Sequence, residues 1–189
     1  MITKQEVLLS LYGVWRLLLR DPKGMDWLDD SEDGFWKSFL CAVLVFPGFV
    51  LLLAFSPTPF YEDAGVIRIF IVESSSYVIG WVAWPLLVSY AAKAFDREEK
   101  FIRYIVAYNW SAAIQIGVYV IILLLRSSGA VPEGFIGLLS FAALIFLLGY
   151  QLLIARVGLD IKGNLPIAMV GADFLLGQII RAVTFNLLH

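Results

Sequence analysis

Residues 38–55 read SFLCAVLVFPGFVLLLAF, eighteen positions without a charge. A helix needs about 20 mostly apolar residues to cross the hydrocarbon of a bilayer, so this run, with its flanks, reads as a spanning segment. Four more runs of the same kind follow, at residues 69–92, 101–125, 135–156 and 165–188. The joints between them carry turn chemistry: Ser56-Pro57-Thr58-Pro59, Asp96-Arg97-Glu98-Glu99-Lys100, Ser127-Ser128-Gly129 and Lys162-Gly163-Asn164. Pro166 falls in the first turn of the last run, where its missing N–H costs nothing. The expected fold is an all-α membrane protein: a bundle of five transmembrane helices over residues 38–189, preceded by residues 1–37 as a separate segment.

Composition agrees. The 189 residues are 60% hydrophobic and 16% charged, with a mean hydropathy of +0.83, whereas an ordinary soluble domain is roughly half apolar and a quarter charged. A net charge of −2 offers no basic surface for nucleic acid. The single Cys41 lies in an apolar run and reads as a buried structural thiol. Residues 1–37 are rich in charge, so no cleavable signal peptide is expected.

The basic residues alternate with the spans. Lys4, Arg16, Arg20, Lys23 and Lys37 precede the first, Lys93, Arg97, Lys100 and Arg103 border the second joint, and Arg156 and Lys162 border the fourth. The opposite joints hold Arg68 and Arg126 alone. By the positive-inside bias this eleven-to-two division places the N-terminus in the cytoplasm and His189 outside.

Residues 4–20 (KQEVLLSLYGVWRLLLR) are amphipathic, with Val7, Leu8, Leu11, Tyr12, Trp15, Leu18 and Leu19 at helical spacing. Two placements fit: flat in the membrane interface, or packed on the cytosolic mouth of the bundle. The linker that follows, DPKGMDWLDDSEDG at residues 21–34, opens like a calcium loop at Asp29-x-Ser31-x-Asp33-Gly34. The closing carboxylate should fall at position 40, which is Leu40, so no metal site is expected. These acids read instead as caps on the first spanning helix.

Charges within spans are functional or pairing candidates. Glu73 in the second span and Arg181 in the fifth fall at similar depth near the outer boundary, and form a candidate ion pair. Nearer the cytoplasm, Asn109, Gln151 and Asp173 share one level with Pro85, whose ring frees a carbonyl of the second span. An acid, two amides and a spare carbonyl at one depth form a candidate proton or cation site. Ser74 to Ser76 with Gly80, and Ala113 with Gly117, give small faces for close helix approach. Trp81, Trp84 and Trp110 read as packing or interfacial anchors.

No enzyme is expected. The only His is terminal, so neither H-E-x-x-H nor a Ser–His pair exists. Asp160 and Asp173 do not match an aspartyl-protease arrangement, because Asp160 lies in a loop. No phosphate loop is present, and no cofactor is expected.

The layout resembles the Yip (Ypt-interacting) family of five-span membrane proteins. Leu11-Tyr12-Gly13 matches the centre of that family's Asp-Leu-Tyr-Gly-Pro motif, with Ser10 and Val14 replacing the Asp and Pro, and Gly149-Tyr150 matches a recurrent Gly-Tyr. Arg20-Asp21-Pro22 followed by Gly34-Phe35-Trp36-Lys37-Ser38-Phe39 looks like bacterial inner-membrane proteins of this broad type. The resemblance implies a non-enzymatic scaffold or accessory protein whose partners are membrane lipids, other membrane proteins or further copies of itself. The alternative is a small proton- or cation-coupled transporter or channel using Asp173, Asn109 and Gln151. A transporter requires a water-accessible cavity reaching Asp173, and a scaffold a closed bundle.

Overall fold

The computed structural model describes residues 2–55 and 64–189, so the expected turn at Ser56-Pro57-Thr58-Pro59 lies outside the described residues. Helix α1 (Lys4–Leu18) is followed by a 3₁₀ turn at Pro22–Trp27, then α2 (Glu32–Ser38), α3 (Leu40–Ala54), α4 (Val66–Ala94), α5 (Phe101–Ser127), α6 (Glu133–Gly158) and α7 (Leu165–Leu188). No strand occurs among the described residues. Five helical pieces are long and apolar enough to cross a membrane, the first being α2 and α3 taken together. The end of the bundle that carries α1 and most of the Lys and Arg is called the basic end below, and the other the far end.

The boundary expected between residues 37 and 38 falls inside a nearly continuous helical stretch. Ser31 starts it: its Oγ accepts from the Gly34 amide at 3.1 Å, and Glu32 and Asp33 occupy the first turn. The acidic linker therefore does cap the first long helix, but the helix starts at Glu32, six residues before the apolar run does. Left-handed Gly129 and Gly163, both at φ 65°, turn the chain after α5 and before α7.

Helix α5 touches α1, α2, α3, α4 and α6. Its residues Tyr104 to Ala107 and Asn109 to Ser111 are buried. Against α6 the approach is close because Gly158 has no side chain: a Cβ there would meet the Tyr104 Cα at 3.0 Å. Helix α3 runs beside α5 with Gly48 against Ile116. Gly80 and Gly117, expected to serve such contacts, face open space instead. Helix α7 packs on α4 and α6.

Helix α1 packs on the bundle. Val14 and Leu17 are fully buried. The Tyr150 hydroxyl donates to the Val14 carbonyl at 2.9 Å, and the Arg20 guanidinium donates to the Gly149 carbonyl. Of the two placements open for this helix, the inward face takes the second. Its other face still presents Leu8, Tyr12, Trp15 and Leu19, all between 46% and 66% exposed. Gly13 and Gly24 let the 3₁₀ turn lie against α1, since a Cβ on Gly13 would meet the Gly24 carbonyl at 2.8 Å. A capping box between Thr3 and Glu6 starts the helix. Lys37 bridges Glu6 and Asp33 at 2.6 Å each, tying α1 to α2.

Replacing Gly13 with valine forces the turn away and is expected to destabilise the protein by about 1–3 kcal/mol, read by thermal unfolding in detergent and by earlier tryptic cleavage at Arg16 and Arg20. The Lys37 ammonium bonded to Glu6, helped by the Thr3 amide, lowers the Glu6 carboxyl from its ordinary 4.5 to about 2. Its contribution is complete above about pH 4.5 and is lost as pH falls toward 2. Glu6→Gln should therefore flatten the acid limb of the stability curve while leaving its shape above pH 5 unchanged.

Candidate functional site

A cavity of about 800 Å³ lies between α3, α5, α6 and α7. It reaches Phe55 and Arg126 toward the far end and descends to Gln151 and Asp173. Gln115, Gln178 and Arg181 add polar groups to walls that are otherwise mostly leucine and phenylalanine. A second cavity, of about 360 Å³, lies among α3, α4, α5 and α7. Asp173, Gln115 and Tyr119 line both. The space exists because α7 leans on α4 and α6 rather than on α5.

The polar groups are organised around Ser111. Its Oγ donates to the Tyr108 carbonyl at 2.7 Å and accepts from the Gln115 and Gln151 amides, each at 3.2 Å. The Tyr108 hydroxyl donates to Asp173 Oδ1 at 2.9 Å. Below this layer toward the basic end, Trp84 Nε1 donates to the Tyr104 hydroxyl at 3.1 Å. Trp84 and Tyr104 are nearly fully buried there, in keeping with the packing role expected of Trp84.

The four residues expected at one level separate by direction. Asp173 and Gln151 meet at the large cavity. Asn109 turns the other way: its Nδ2 donates to Ser38 Oγ at 2.8 Å, at the α2–α3 junction. Pro85 is buried in α4 and lines neither cavity. Depth along a helix follows from counting residues, whereas direction around it turns by about 100° per residue. The neighbour one position earlier, Tyr108, is therefore the α5 residue that reaches Asp173. Tyr108, Ser111 and Tyr119 were not picked out from sequence, because a hydroxyl within an apolar run carries no charge signal.

The expected Glu73–Arg181 pair does not form: among the described residues no ion pair joins the two. Ser76 Oγ and Thr184 Oγ1, 2.5 Å apart, fix the register of α4 on α7. Glu73 lies three residues beyond Ser76 toward the far end, and Arg181 three residues deeper than Thr184. About 9 Å of helix rise separates their levels, and Arg181 lines the large cavity instead.

The calcium-like stretch resolves differently as well. Glu6, Asp29 and Asp33 do come together, but the Lys37 ammonium sits against two of them. Asp29 Oδ1 accepts from the Ser31 amide at 3.1 Å, a local turn contact.

Compared with known proteins, the chain matches no family model, no curated protein and no solved structure.

Ser111→Ala removes the acceptor of one buried and one half-buried amide and should cost about 1–3 kcal/mol. Tyr108→Phe removes one donor from a carboxylate that also lines a cavity, and should cost only about 0.6 kcal/mol. Thermal unfolding of the two variants side by side checks this order.

Proposed function

We propose that this chain is an integral membrane protein that carries a small polar solute, with Asp173 as the group that couples movement to a proton or cation. The observation that carries the reading is the 800 Å³ cavity that reaches Asp173. Gln151 supports it. Its Oε1 is buried without a hydrogen-bond partner among the described residues, and its side chain belongs to the cavity wall. An unmet acceptor in an apolar setting is costly, and water or a polar solute in the cavity relieves that cost. Asp173 is the acid on the wall and Arg181 and Arg126 the cations, so a solute bearing both charges, or an anion moving with a proton, suits it best. Buried Tyr104, one turn nearer the basic end than Tyr108 and bonded to Trp84, stands on the route toward that end. In this reading the conformation is open to the far side, and the far side is the exterior of a bacterial inner membrane, with the N-terminus cytoplasmic.

A second reading is the non-enzymatic scaffold of Yip-like layout. The outward stripe Leu8, Tyr12, Trp15 and Leu19 on α1 favours it, since such a face suits lipid or a partner helix. A scaffold has no use for a polar cavity, and this places it second.

Solute accessibility separates the two. With Cys41→Ala as background, Gln178→Cys and Asp173→Cys are expected to react with membrane-impermeant thiol reagents applied from either face, as alternating access requires. Folded variants that resist labelling from both faces overturn the transport reading. In proteoliposomes holding a pH-sensitive dye, Asp173→Asn should reduce solute-dependent proton movement to the level of empty vesicles.

A further inference from the structure

A separate pocket lies at the basic end, away from the cavity. Lys100 and Arg103 enter it from the start of α5, Arg156 from the last turn of α6, and Asp160 and Lys162 from the connection to α7. Its volume is about 380 Å³. Four cations face it and one acid. Arg103 is only loosely compensated: its Nε is buried without a hydrogen-bond partner among the described residues, and the acid paired with it, Asp26, stands 4.0 Å from its terminal nitrogen. Asp160 sits in a left-handed turn at φ 50°. Its carbonyl accepts from Arg97 Nε at 3.3 Å, which brings a fifth cation to the rim. Like charges gathered in one concavity repel, and an anion placed among them removes that repulsion.

Two features select the anion. Val157 and the buried Ile161 contribute apolar wall to the same pocket, so the ligand presents an uncharged part beside its charge. The pocket also sits where the apolar lengths of α5 and α6 end, the level of lipid headgroups if the five helices span a bilayer. We infer that this pocket binds the phosphate of an anionic phospholipid headgroup, with Arg103, Arg156, Lys100 and Lys162 as its cationic ligands. Basic pockets between helices on the cytoplasmic side take anionic headgroups in this way. The inference rests on the membrane placement proposed above, not on transport.

The test uses the full chain in neutral detergent, followed by native mass spectrometry with added phosphatidylglycerol, phosphatidylcholine or inorganic phosphate. Phosphatidylglycerol should be retained and phosphatidylcholine not. Arg156→Gln and Lys162→Gln, both at exposed positions, should each weaken retention about fivefold, and the double variant by more than tenfold, with helical content unchanged. Lys93→Gln, at the same end but outside the pocket, should leave it unaltered. Equal retention of the two lipids, or undiminished retention by the double variant, overturns the site. Inorganic phosphate displacing the lipid at equal concentration overturns the lipid assignment in favour of a free anion. Failure of the cysteine-labelling experiment would leave these results untouched.

Discussion

The seam between α5 and α6 at Tyr104 and Gly158 sets the geometry of everything else. Without a side chain at Gly158 the two helices come close enough for Tyr104 to lie on the α6 backbone. That closeness aligns Val106 and Trp110 of α5 with Gly149 and Tyr150 of α6, and α1 lies across them. The other side of α5 receives α3, parallel to it, through Ser38 on Asn109 and Gly48 on Ile116. With α5 flanked in this way, α7 finds its contacts on α4 and α6. The gap left between α5 and α7 is the cavity. The polar space is thus a by-product of tight packing elsewhere.

Much of this was legible in the sequence. The last run reads as residues 165–188, and α7 spans Leu165–Leu188, because a mostly apolar stretch starting just past the Gly163 turn leaves little choice. The fourth run lies within α6 (Glu133–Gly158). The first was misjudged at its start: Gly34, Phe35 and Trp36 read as linker, yet they belong to α2. Helix formation there begins at a serine cap rather than at the first apolar residue. The small-residue faces hold only in part, since Ser76 meets Thr184 of α7 while their glycines meet nothing. Gly80 and Gly117 have the spacing of contact glycines, but only the azimuth of each helix decides whether a neighbour stands there.

The candidate site shows the same division. Asp173 and Gln151 belong together, as their depth indicated, while Asn109 and Pro85 do not. Charge draws attention in a hydrophobic sequence, whereas the group that organises the amides is an unremarked serine, Ser111. Glu73 and Arg181 were matched on residue counts from uncertain helix ends. A few residues of error at each end accumulates to more than one helical turn, which is enough to separate a proposed pair.

The docking of α1 has a consequence for how the protein is made. Tyr150 meets Val14 across 136 residues of sequence, and Gly149 meets Arg20 across 129. At roughly 5–20 residues per second of synthesis, about 7 to 27 seconds pass between the emergence of Val14 and that of its partner. Throughout that interval Val14, Leu17 and the outer stripe of the same helix are without the bundle surface that later buries one of the two faces. A helix made before the five long ones is therefore among the last elements to reach its place. If the five long helices span a bilayer, its amphipathic face gives it somewhere to wait: the lipid surface beside them.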